Sequence, residues 1–151
     1  VESRLGVFIM KKEPKIVWVD SYRDVEGMPP YAIGLASRKD NTVYVVKGKA
    51  GQSTIKHEEY HVKKKHVGHP RTPEDFLRHE IEANLYAYEK TRNPKHILML
   101  LRGNVSYLID QYGFTSKSKL IDLLYSVLDE YSVPDGWSKD LDKLVEHIRS
   151  Y

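Results

Sequence analysis

The sequence predicts an α+β fold: a small N-terminal antiparallel sheet packed on two helices and followed by a helical C-terminal extension. Three observations predict it. Short runs rich in β-branched and apolar residues fill the first third of the chain, Gly48 and Gly51 interrupt them, and from Gln52 onward the apolar period moves from two toward 3.6 residues.

Each element follows from local chemistry. Residues 5–10 and 15–19 read as strands separated by charged residues and Pro14. Beyond a loop marked by Gly27, Pro29 and Pro30, residues 31–37 and 42–46 flank the turn formers Arg38, Lys39, Asp40 and Asn41, so they read as a hairpin. A first helix is predicted over residues 52–67, with Ser53 or an earlier residue near its cap and Gly68 placed to stop it. The second opens at Thr72, which can cap it. Pro73 suits the first helical position, because no N–H is lost there, and Asp75 stands where a capping-box acid would. It ends near Asn93 and Pro94. A third helix follows from Pro94 toward Tyr112, closed by Gly113, with Gly103 as a point of interruption. A fourth spans residues 116–131, and a fifth spans 138–150 after the Pro134-Asp135-Gly136 turn. There is no internal repeat and no low-complexity linker.

Bulk properties exclude several classes of function. A chain of 151 residues suits one compact domain, or a small domain with an appended subdomain. Hydrophobic content of 40% beside charged content of 30% describes an ordered, soluble protein. No run is apolar for long enough to cross a bilayer, and the first residues lack the pattern of an export signal, so a cytoplasmic protein is expected. The absence of cysteine removes disulfides, thiolate zinc sites and cysteine nucleophiles together, leaving His, Asp and Glu to hold any metal. A formal charge of +3 is too small to imply nucleic-acid binding, and Lys63, Lys64 and Lys65 suit the solvated C-terminal end of a helix. Abundant Lys, Glu and Tyr with two Gln lean toward a heat-adapted source.

The decisive stretch is His57-Glu58-Glu59-Tyr60-His61, an H-E-x-x-H sequence inside the first predicted helix. Residues four apart lie one above the other, with Cβ atoms roughly 5–6 Å apart. Both imidazoles can therefore reach one ion at about 2.0–2.1 Å. Glu58 is turned away from the ligands but stays near a metal-activated water, whose pKa zinc lowers to about 7, and is the candidate general base. A catalytic zinc site takes a third protein ligand, and the next helix offers Glu80, with Asn84 four residues on the same face and small Ala83 and Ala87 beside it. Asn84 is placed to accept the remaining ring N–H of a ligand histidine. Glu82 points about 200° away around the helix axis and is the weaker candidate. His66, His69, His79, His96 and His147 read as surface or hydrogen-bonded histidines, and Tyr86, Tyr88, Arg78, His79 and Tyr107 remain alternatives for stabilising an oxyanion. Zn2+ is favoured over iron, which the same ligands can serve, because the acid at the second motif position suits hydrolysis.

The hairpin, HEEYH, and the segment Glu80-Ile81-Glu82-Ala83-Asn84-Leu85-Tyr86-Ala87 together resemble the ImmA/IrrE family of small gluzincin metallopeptidases, whose second motif reads like E-x-E-A-N-x-F-A. The similarity covers residues 32–87. It implies a zinc metalloendopeptidase in which an edge strand pairs with an extended substrate, with His57, His61 and Glu80 as ligands and Glu58 as the catalytic acid. It further implies a protein or peptide substrate, transcriptional regulators among them. The strand-rich start and helical remainder divide the chain into a minimal zincin-like core over 1–93 and a helical extension over 94–151. Two alternatives stand beside the peptidase reading: a metal-binding but inactive regulatory or interaction module, and a chance motif whose histidines merely pack or hydrogen-bond while the helical C-terminal half forms a partner-binding surface. Two features depart from the family: Tyr60 stands where a small residue usually precedes the second histidine, and the residues after Ala87 are mostly polar.

Overall fold

A computed structural model of the chain describes residues 13–30, 32–37, 39–66, 70–92, 97–134 and 137–150. The predicted strand at 5–10 lies outside them, as do Tyr31, Arg38, Gly68, His69, Asn93, Pro94, His96, Asp135 and Gly136. The fold is α+β, and the described residues divide into two compact units, one ending at His66 and one beginning at Pro70.

The first unit holds β1 (Lys15–Val19), β2 (Gly34–Ser37), β3 (Thr42–Val46) and helix α1 (Gln52–Lys63). β2 and β3 form the expected antiparallel hairpin, with Gly34 opposite Val45 and Ser37 opposite Thr42. Asn41 turns the corner with a φ of 49°, a conformation that Asn tolerates better than most residues. β1 lies on the other side of β3 and runs parallel to it, Lys15 opposite Thr42 and Val19 opposite Val46. The sheet is thus mixed, which corrects the expectation of an antiparallel one. The physical reason is the connection over residues 20–33, with its 3-10 turn at Tyr22–Asp24 and its buried Met28, which carries the chain past β3 instead of folding it straight back.

β3 is the central strand. Val43 and Val45 are fully buried on it and pack with Ile55 and Val62 of α1, seven residues and two helical turns apart. That stripe sets the rotation of α1 on the sheet. The helix stops at Lys63, earlier than predicted. Lys65 adopts the left-handed conformation (φ 58°), its N–H donates to the Val62 carbonyl at 3.1 Å, and the His66 N–H donates to the His61 carbonyl at 2.9 Å. These are the two bonds that close a helix when a left-handed residue follows it, here a lysine where glycine is usual.

The second unit is helical: α2 (Pro73–Thr91), α3 (Ile97–Tyr112), α4 (Lys117–Leu128) and α5 (Trp137–Arg149). Thr72 caps α2 as expected, its hydroxyl accepting from the Asp75 N–H at 3.2 Å, and Pro73 takes the first position. Arg92 ends the helix in the left-handed region. α3 runs unbroken through Gly103. α4 ends at Leu128, short of residue 131, because Glu130 and Tyr131 donate to carbonyls three residues back and tighten the chain into a turn. Leu77 and Ile81 of α2, Leu108 of α3, Leu124 of α4, and Leu144 and Ile148 of α5 form one buried cluster. No helix among the described residues is long and apolar enough to cross a membrane.

Leu124→Ala, at a site 1% exposed, is expected to destabilise the protein by about 2–5 kcal/mol in equilibrium urea unfolding. Lys65→Gly relieves a left-handed lysine and is expected to add up to about 1 kcal/mol by the same measurement.

Candidate metal centre

The site grows out of the way α1 lies on its sheet. With Ile55 and Val62 turned toward the valines of β3, the helical period leaves Thr54 and Glu58 on a neighbouring stripe, next to β2. Gly34 makes this fit possible. A Cβ at that position would lie 2.8 Å from Thr54 Cγ2 and 3.1 Å from Glu58 Cγ, so a side chain there would require Thr54 or Glu58 to shift.

His57 and His61 form the next stripe, one turn apart. Both are buried, 4% and 9% exposed, and their Nε2 atoms are 3.1 Å apart with the rings edge to face. At that separation only one of the two nitrogens can carry the shared proton, and the other presents a lone pair. Glu58 reaches toward the same point. Its Oε1 is 3.8 Å from His57 Nε2, too long for a hydrogen bond, and its side chain is 16% exposed. Glu59 is instead buried and takes an ion pair from Lys56 at 3.2 Å. The two glutamates of the motif are therefore separated by environment, one paired with a lysine and the other beside the imidazoles.

His66, which from sequence reads as a surface or hydrogen-bonded histidine, belongs to this cluster. Its Nδ1 lies 2.9 Å from His61 Nδ1, with ring centroids 5.1 Å apart, and Tyr60 stands edge-on to it at 5.8 Å. Tyr60 in turn lies under the Lys64 ammonium at 5.8 Å. Helical spacing cannot reveal His66, because five residues from His61 is not a same-face interval. The left-handed turn at Lys65 brings it back.

The chain matches no family model, no curated protein and no solved structure.

In the helical unit, Glu80 is half-buried on α2 and Asn84, one turn on, is 1% exposed, with Ala83 and Ala87 buried beside it. Glu82 accepts a hydrogen bond from the Tyr131 hydroxyl at 2.8 Å, a contact within this unit. Burial and that bond push the Tyr131 phenol above its usual range. The oxyanion candidates on these helices make contacts of their own. Arg78 donates to Glu130 at 3.0 Å and to Asp75 at 2.8 Å, which holds the Glu130 carboxyl below its usual range, and Tyr107 stacks on Phe76 at 4.8 Å. Tyr86 and Tyr88 lie beside Lys90 and Arg92, at 5.5 and 5.8 Å from ring centroid to cation.

Gly34→Ala forces Thr54 or Glu58 to move. The expected result is a loss of about 1–3 kcal/mol in thermal or urea unfolding, whereas an unchanged stability would mean that β2 and α1 are not in this close contact.

Proposed function

We propose that the protein is a zinc-dependent metallopeptidase in which His57, His61 and Glu80 hold the ion and Glu58 acts as general base. The observation that carries the reading is the pair of buried imidazoles with Nε2 atoms 3.1 Å apart. A tetrahedral ion with Zn–N distances of about 2.0–2.1 Å spaces two ligand nitrogens by about 3.3 Å, so the pair needs almost no adjustment to accept one. Glu80 would supply the oxygen donor as the third protein ligand that a catalytic zinc site takes. Two imidazoles and a carboxylate make a donor set that suits hydrolytic zinc and leaves a position open for substrate.

The protein's own groups then divide the work. Zinc, when bound, supplies Lewis acidity toward water and a scissile carbonyl. Glu58, partly exposed and beside His57, is positioned to take a proton from an attacking water and return it to the leaving amine. Gly34 lets the β2 backbone come against the Glu58 side chain, so an extended peptide paired with that edge strand would run past the base. The same residues carry the resemblance to the ImmA/IrrE peptidases, and with it a protein or peptide substrate in the cytoplasm.

A second reading, a metal-binding module without catalysis, draws support from Tyr60, whose bulk sits over His66 next to the second ligand. One set of variants separates the two. Metal content of untagged protein is expected to be near one zinc per chain in wild type and to collapse in His57→Ala and Glu80→Ala. Glu58→Gln is expected to keep zinc while hydrolysis of a fluorescently labelled unfolded protein falls at least about 100-fold. Zinc binding with no hydrolysis by wild type favours the module, and wild type that neither contains nor takes up zinc overturns both.

A further inference from the structure

We infer that His66 is a positioning residue for the metal centre: it accepts the Nδ1–H of His61 and thereby fixes the tautomer in which the His61 Nε2 lone pair is available to the ion. The inference rests on the reading of His57 and His61 as ligands and extends it to a residue that the H-E-x-x-H motif does not contain.

The two nitrogens of the His61 ring face opposite partners, Nε2 toward His57 Nε2 at 3.1 Å and Nδ1 toward His66 Nδ1 at 2.9 Å. A neutral imidazole carries one N–H and one lone pair, so the partner of one nitrogen decides the state of the other. With the Nδ1–H donated to His66, the lone pair lies on Nε2 and points into the gap between the two motif histidines. With the reverse tautomer, Nε2 carries the proton and cannot ligate. Metal-ligating histidines commonly give their second N–H to a fixed acceptor, which sets ring orientation and raises ligand basicity.

His66 is built to be such an acceptor. The left-handed Lys65 reverses the chain at the end of α1, and the His66 backbone N–H bonds to the carbonyl of His61 itself at 2.9 Å. The two residues are therefore tied by backbone and by side chain, and Tyr60 stands edge-on against the His66 ring at 5.8 Å. His66 is not placed as a further ligand, because its near nitrogen faces the Nδ1 side of His61, away from the gap toward His57. A neutral His66 that accepts at Nδ1 carries its own proton on Nε2.

The test compares wild type, His66→Phe and His66→Gln. Phenylalanine keeps a ring and removes the acceptor, and glutamine restores an acceptor oxygen. Zinc affinity is measured by competition with a chromophoric chelator, and the His61 tautomer in the metal-free protein is read from long-range proton–nitrogen NMR with both rings neutral. The expected result is an Nδ1–H tautomer for His61 in wild type, its loss in His66→Phe with about 10–100-fold weaker zinc binding, and substantial recovery of both in His66→Gln. Wild-type affinity and an unchanged tautomer in His66→Phe overturn the inference while leaving the ligand assignment standing. An Nε2–H tautomer in wild type overturns it whatever the affinities. If wild type binds no zinc, the ligand assignment fails, and the tautomer comparison still decides whether His66 sets the proton on His61.

Discussion

Two buried imidazoles held one helical turn apart, with their Nε2 atoms in contact, are the constraint on which the rest of this unit depends. Burying polar rings is costly unless each nitrogen finds a partner, and His57 and His61 meet that requirement only if α1 is regular between them and correctly rotated. Ile55 and Val62, gripped by Val43 and Val45, set the rotation. Gly34 sets how near the edge strand comes. The left-handed turn at Lys65 supplies His66 at the outer nitrogen. Sheet, strand edge and helix end thus converge on one pair of side chains.

Much of this is legible in the sequence because it rests on short-range periodicity. β1 and β3 fall where alternation of β-branched residues places them, and α1 begins where the period changes. The four-residue interval between His57 and His61 is itself a statement about a helix face, and for that reason their proximity follows from the sequence. The Thr72-Pro73 start of α2 is equally local.

Features decided by tertiary context are not legible in this way. The parallel placement of β1 depends on where the connection over residues 20–33 travels, which no strand pattern encodes. From sequence the end of α1 falls near Gly68, the residue best suited to a left-handed turn, but a lysine three positions earlier takes that conformation. The same turn hides His66, since its role arises from a chain reversal and not from a helical interval. Gly34 stands in the strand run preceding the hairpin, but its need to lack a side chain emerges only once Thr54 and Glu58 are placed against it. In the helical unit, the ion pairs of Arg78 with Glu130 and Asp75 and the stacking of Tyr107 on Phe76 are likewise tertiary contacts that no sequence pattern encodes.

The central claim is that His57 and His61 share one divalent ion. X-ray absorption at the zinc edge, on protein loaded with one equivalent of zinc, tests it most directly. The predicted result is a shell of about four nitrogen and oxygen neighbours at about 2.0–2.1 Å, with the multiple-scattering signature of two imidazoles that falls by about half or more in His57→Ala. A shell of oxygens alone with no imidazole signature, unchanged in that variant, would contradict it.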